Sequence, residues 1–103
     1  MNIIQSTNEY DALLKDNQSV FVDFYADWCG PCKMVGPLVE ELSKEYTDIK
    51  FVKVNVDNTP DIAQRYGIMS IPTLIAFKNG EIAGRIVGFQ PKEALAALAE
   101  KTR

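Results

Sequence analysis

Residues Val20-Phe21-Val22-Asp23-Phe24-Tyr25-Ala26 form an apolar run broken by a single charge. A half-buried strand alternates apolar and polar residues, whereas a run apolar at nearly every position has both faces covered. This segment is therefore expected to be a central strand, and the rest of the chain must supply helices for both of its faces. Directly after it stands Trp28-Cys29-Gly30-Pro31-Cys32-Lys33, which holds the only two cysteines of the protein. Met34, Val35, Leu38, Val39, Leu42 and Tyr46 then recur at helical spacing, so residues 33–46 are expected to form a helix with these side chains in the core. Pro37 falls inside that pattern. It has no N–H to offer the preceding turn and is expected to kink the helix.

A CxxC pair at a strand-to-helix junction is a redox pattern. The first N–H groups of a helix have no partner within it and the macrodipole is positive there, so a thiolate is favoured. A free thiol with a pKa of about 8.5 is about 3% ionised at pH 7. A helix N-terminus contributes ~0.3–1 kcal/mol and at most ~2, which at about 1.36 kcal/mol per pKa unit lowers the thiol by no more than about 1.5. That raises the thiolate fraction several-fold without a histidine base, and the chain has no histidine. Hydrogen bonds from the second thiol and from free N–H groups add to the effect.

Three other readings compete. A structural disulfide closing so short a loop removes little unfolded-state entropy and is a poor staple. A structural zinc site needs four Cys or His ligands, and this chain supplies two, so a dimer or carboxylates would have to complete it. A binding or chaperone module would use the apolar surroundings of the cysteines without redox chemistry. Asp23 is similarly open. Alternation places it on one face with Phe21 and Tyr25, either as a tolerated polar residue near a strand end or as a buried acid. Burial raises a carboxyl pKa, which suits a group that exchanges protons near neutral pH.

The remaining signals are local. Residues 2–5 read as a short peripheral strand, and Ser6-Thr7-Asn8-Glu9 as a capping box opening a helix that buries Tyr10, Leu13 and Leu14. Residues 51–56 alternate and are β-branched, as a strand requires. Thr59-Pro60 starts a short helix that ends at Gly67. Asn79-Gly80 is a type I′ hairpin signal joining strands at 73–78 and 81–87, with Gly84 marking a bulge or a close contact. Pro91 opens a last helix with Leu95, Leu98 and Ala94 inward. The order implies an α/β sandwich, a central mixed sheet of about five strands flanked by four helices, in one domain spanning 1–103. The net charge of −3 carries no basic block, which argues against nucleic acid as a partner. With no basic segment leading into an apolar stretch and no run of membrane-spanning length, a cytoplasmic protein is expected, unless a targeting segment has been removed. In a reducing compartment two nearby cysteines are more often catalytic than structural.

The hexapeptide at 28–33, preceded by Asp23-Phe24-Tyr25-Ala26 and followed by Ile71-Pro72-Thr73 and the Lys78-Asn79-Gly80 hairpin, resembles the thioredoxin family over almost the whole chain. The resemblance implies a general protein disulfide reductase. Cys29 is the nucleophile, Cys32 the resolving thiol, and Asp23 accepts the Cys32 proton through a water. Lys53 matches a lysine that lies near this acid, although the sequence alone allows a solvent-facing lysine equally well. A substrate surface of Trp28, Gly30, Pro31, Ile71, Pro72, Gly88 and Phe89 is implied. About 5–6% of X–Pro bonds are cis in folded proteins, but the family has a cis proline at the position of Pro72. Gly88 without the resemblance is simply a strand end. The implied working state is a monomer with no bound cofactor or metal and a reversible Cys29–Cys32 disulfide. Electrons come from NADPH through thioredoxin reductase, or in some settings from ferredoxin. The implied partners are that reductase and disulfide-containing proteins. Tyr25 stands where the family often has tryptophan, and Met69 takes a variable position beside the substrate groove.

Overall fold

The computed structural model describes residues Met1–Arg103 throughout. The chain order is β1 (Asn2–Ile3), α1 (Thr7–Asp16), β2 (Ser19–Tyr25), α2 (Gly30–Glu45), β3 (Lys50–Asn55), α3 (Pro60–Arg65), β4 (Thr73–Lys78), β5 (Glu81–Val87) and α4 (Lys92–Glu100). The five strands form one mixed sheet in the order β1-β3-β2-β4-β5. Strands β1 and β2 run parallel to β3, and β4 runs antiparallel to β2 and β5. This is the central mixed sheet of five strands with four helices that the sequence implies.

The apolar run sits at the centre of the sheet. Val20, Phe21, Val22 and Phe24 are all fully buried. On one face Phe21 packs with Val35, Val39 and Leu42 of α2 and Leu95, Leu98 and Ala99 of α4. On the other, Val20, Val22 and Phe24 pack with Tyr10 of α1 and Ile62 of α3. The strand that needed two covers has a pair of helices on each side.

Local chemistry sets the helix starts. The Ser6 Oγ accepts the Glu9 N–H at 3.1 Å, while Glu9 Oε1 takes the N–H of Gln5 at 2.6 Å, so the box closes one residue earlier than the simple pattern. Helix α2 begins at Gly30, ahead of the apolar periodicity, because Cys29 serves as its N-cap and Pro31 is tolerated in the first turn. It continues through Pro37 to Glu45. Some side-chain assignments differ from the sequence reading, and in α1 only Tyr10 is fully buried while Leu13 and Leu14 are half-buried. Met34 is 61% exposed, on the solvent face with Lys33 and Pro37, while Val35, Val39 and Leu42 hold the core and Leu38 and Tyr46 are half-buried. In α4, Pro91 is the N-cap residue, and Ala99 joins Leu95 and Leu98 in full burial while Ala94 is half-buried. Positions 95, 98 and 99 share one helical face; 94 lies at its edge.

The hairpin has positive φ at both Asn79 (53°) and Gly80 (82°), the type I′ signature. Between β4 and β5 the register shifts, so that Ala76 pairs with Gly84 and Phe77 with Ile82. Gly84 also lets α4 approach the sheet. A Cβ there would stand 2.8 Å from Leu98 Cδ1 and 3.0 Å from Lys101 Cδ. Lys101 can swing away, but Leu98 is held in the core. Gly84→Ala is therefore expected to lower stability by about 1–3 kcal/mol through overpacking, read as a lower urea midpoint with native secondary structure retained.

Candidate active site

The two cysteines sit where β2 hands over to α2. Ala26, Cys29 and Cys32 form a small buried cluster against Tyr25, Val56 and Ile71. The sulfurs are joined as a disulfide, with Cα atoms 5.3 Å apart. Cys29 Sγ accepts the Cys32 N–H at 3.2 Å, so that sulfur lies at the positive end of α2. The first cysteine is less accessible than a bare helix start suggests. Cys29 is 4% exposed and Cys32 6%, because residues of β2, the segment after β3 and the Ile71 loop pack around the pair, while Gly30, Pro31 and Trp28 reach solvent.

A second chain segment closes on the pair. The Ile71–Pro72 bond is cis, and the Ile71 carbonyl oxygen lies 3.7 Å from Cys29 Sγ. The Gly88 N–H donates to the Pro72 carbonyl at 2.8 Å, and Gly88 has φ +88°, a conformation that glycine adopts without a side-chain penalty. Ile71 is half-buried and Pro72 buried, whereas Phe89, Val87 and Met69 remain exposed, Met69 almost completely. The loop therefore offers backbone more than side chain near the sulfurs.

Asp23 is buried, its Oδ1 has no hydrogen-bond partner, and it pairs in register with Lys53 on β3. Burial pushes its carboxyl up from the ordinary 3.8 to about 6, with the Lys53 ammonium pulling against that rise. Lys53 is half-buried with its Nζ 4.3 Å from the centroid of the Tyr25 ring, a cation–π position. Of the two sequence alternatives for Lys53, the structure has the one beside the acid. Asp23, Lys53 and Cys32 line one cleft of about 410 Å³ together with Lys33 and Glu40. That is far above the ~15 Å³ that one water needs, so the cleft has room for water.

Two residues at the end of β3 and just after it, Asn55 and Asp57, escaped sequence reasoning. Trp28 Nε1–H donates to Asp57 Oδ2 at 2.9 Å, and the Asp57 N–H donates to Asn55 Oδ1 at 2.9 Å. The available signal was the Asn55-Val56-Asp57-Asn58 stretch, since Asn and Asp after a strand favour side-chain-to-backbone turns. No group of three or more His, Cys, Asp or Glu side chains is placed to hold a metal ion. No helix is long and apolar enough to cross a membrane.

A reversible CxxC disulfide at a helix N-terminus, beside a buried acid of raised pKa, is the equipment of a thiol–disulfide oxidoreductase. Residues 2–101 match the family model described as Thioredoxin. The chain is 46% identical over 102 residues to a thioredoxin of Bacillus subtilis, covering 98% of each chain. It is 48% identical over 98 residues to a thioredoxin of Mycoplasmoides gallisepticum, covering 95% of this chain and 98% of that one. Among solved structures, Plasmodium falciparum thioredoxin is similar with a TM-score of 0.93 at 40% identity over 98% of each chain. The chain belongs to the thioredoxin family and is a disulfide oxidoreductase that works by dithiol–disulfide exchange through Cys29-Gly30-Pro31-Cys32.

The raised Asp23 carboxyl has a consequence for stability. Between 3.8 and about 6 the folded protein binds a proton that the unfolded chain does not. Stability therefore falls as pH rises through that window and stays lower above it. Asp23→Asn removes the effect. The variant is expected to exceed the wild type by up to about 3 kcal/mol at pH 8, with the difference closing below pH 4. Urea unfolding of the disulfide form at the two pH values measures it.

Proposed function

We propose that this protein is a monomeric, single-domain cytoplasmic reductase of protein disulfides, with Cys29 as nucleophile and Cys32 as resolving thiol. The observation that carries the assignment is the Cys29 sulfur at the N-terminus of α2, facing the Ile71 carbonyl, while Cys32 shares its cleft with Asp23. In the dithiol form the Cys29 thiolate attacks one sulfur of a substrate disulfide. The substrate S–S bond breaks, one substrate thiolate leaves, and a mixed disulfide forms. The Cys32 thiol then gives its proton through water to the Asp23 carboxylate, and its thiolate attacks Cys29 Sγ. The mixed disulfide breaks, the second substrate thiolate leaves, and the Cys29–Cys32 disulfide closes. Two electrons have passed from the dithiol to the substrate.

Asp23 suits this role because burial and Lys53 act on it in opposite directions and leave its carboxyl near neutral pH. Trp28, Gly30, Pro31, Ile71, Pro72, Gly88 and Phe89 form the docking surface. Gly30 keeps open space where a side chain would stand, and an extended substrate segment pairs with the Ile71 backbone in the manner of an added strand. Thioredoxin reductase, drawing on NADPH, returns electrons to the disulfide, and disulfide-containing proteins are the substrates. A pair of cysteines with two residues between them and bacterial thioredoxin relatives support the cytoplasmic reading.

Three measurements test this. Equilibration in thiol buffers should give a potential near the about −270 mV established for thioredoxin itself; a value near the about −180 mV of protein disulfide isomerase reverses the direction of transfer. Cys32→Ser should accumulate a mixed disulfide with a protein substrate that dithiothreitol dissolves, and Cys29→Ser should trap none. In stopped-flow experiments at pH 7, Asp23→Asn should leave formation of the mixed disulfide within about twofold while slowing its resolution by roughly 10²-fold; equal slowing of both steps removes Asp23 from the proton path.

A further inference from the structure

Trp28 is the most exposed aromatic residue of the site, and its indole has one hydrogen bond, to Asp57. An exposed aromatic side chain left untethered samples several rotamers and pays to be ordered when a partner docks. Whatever holds Asp57 therefore decides where the indole waits. Asp57 is itself exposed, on the loop between β3 and α3.

That loop is wound onto one buried residue. Asn55, the last residue of β3, is 5% exposed and pairs in register with Tyr25. Its carbonyl oxygen accepts the N–H groups of Asn58 and Thr59, each at 3.1 Å, and the Thr59 hydroxyl at 3.2 Å. Its side-chain Oδ1 accepts the Asp57 N–H at 2.9 Å. Beside it the Val56 N–H donates to the Tyr25 carbonyl at 2.9 Å. Burial raises the Tyr25 phenol, Asp27 adds to that, and the neighbouring Asn55 side chain works the other way. Asn55 thus joins the end of β2, through strand pairing, to the Asp57 backbone, through its side-chain oxygen. Any residue at position 55 keeps the backbone bonds; only a side-chain acceptor keeps the bond to Asp57.

We propose that Asn55 is a positioning residue for substrate docking, acting through the Asp57 backbone and carboxylate to hold the Trp28 indole in place beside the disulfide. This rests on the reading of Trp28 as a docking residue. The path from Trp28 to Asp57 to Asn55 returns to Tyr25 on β2, the strand that leads into the cysteines. The indole is thereby referenced to the same strand as the reacting sulfurs. A protein substrate gains from an indole already in place, because less must be ordered on docking. A small flexible disulfide that needs only the sulfurs gains nothing.

The test compares two substrates with dithiothreitol as electron donor: insulin, and bis(2-hydroxyethyl) disulfide. Asn55→Ala is expected to raise the KM for insulin about three- to tenfold with kcat within twofold, and to leave the rate with the small disulfide within twofold. Trp28 is the only tryptophan, so its steady-state fluorescence anisotropy reports the tether directly and should fall. Asp57→Ala should reproduce both changes, and the double variant should be no worse than either single one. Asn55→Ser keeps an acceptor that can close the same local turn and should restore the wild-type KM and anisotropy. Equal loss on both substrates, unchanged anisotropy, additive single effects, or a serine variant as impaired as alanine would each overturn the proposal. Should the alanine variant not fold, the anisotropy of Asn55→Ser decides: a freed indole there sinks the idea, and a held one beside a freed indole in Asp57→Ala supports it. Trp28→Ala tests the underlying reading separately, because an unchanged insulin KM in that variant removes the docking role of the indole itself.

Discussion

Burial of β2 on both faces is the constraint on which the rest depends. Four of its side chains, Val20, Phe21, Val22 and Phe24, are removed from water completely. At about 1.5–3 kcal/mol for each buried side chain this contributes roughly 6–12 kcal/mol, a figure comparable to the whole net stability of an ordinary domain, ~5–15 kcal/mol. A strand so heavily anchored can carry one misplaced charge. Asp23 is that charge, and the cost of ionising it there, which burial raises and the Lys53 ammonium offsets, is outweighed by what its neighbours contribute. The ion pairs on the surface are of a different order. Arg103 with Asp48, Lys92 with Glu41 and Glu45, and Arg65 with Asp11 are all substantially exposed, where solvent screening and side-chain entropy leave them little to contribute.

The same strand assembles the site. Its end delivers Trp28 and the cysteines to the start of α2, its register with β3 brings Lys53 beside Asp23, and its other neighbour β4 begins directly after the cis Pro72 loop. The interior of β2 and the start of α2, neighbours in the chain, therefore meet the distant Pro72 loop at one disulfide. Each brings a different physical effect. The helix start brings a field that favours thiolate. The strand interior brings a carboxyl kept protonatable by burial. The loop brings a carbonyl oxygen close to the Cys29 sulfur. None of these effects is large alone, and none exists without the packing that holds the segments together.

Much of this was legible in the sequence because the signals are local. The two-faced apolar run, the CxxC after it, the Ser6–Glu9 cap, Pro60 at a helix start, Gly67 at its end and Asn79-Gly80 in the hairpin all act through backbone conformation or bonds within a few residues. Such features do not wait for the fold. The resemblance of the hexapeptide and of the Ile71-Pro72-Thr73 segment then indicated the family and the cis bond.

What the sequence by itself determined was the identity of the elements, the central place of β2 and the redox pair. What only the tertiary structure decided was which side of each boundary a residue falls on. Apolar spacing locates the stripe of a helix but not its edge, so Met34 was assigned inward and lies in solvent, while Ala99 fills the core that Ala94 was expected to share. Spacing gave no sign that Cys29 is nearly covered, since its cover comes from Ile71 and Val56, distant in the chain. Lys53 reads the same from sequence whether it faces water or Asp23; only the pairing of β2 with β3 chooses. Asn55 and Asp57 resemble ordinary turn residues until Trp28 is brought against them. Local bonds are written in neighbouring residues, whereas burial and desolvation depend on groups that only folding brings together.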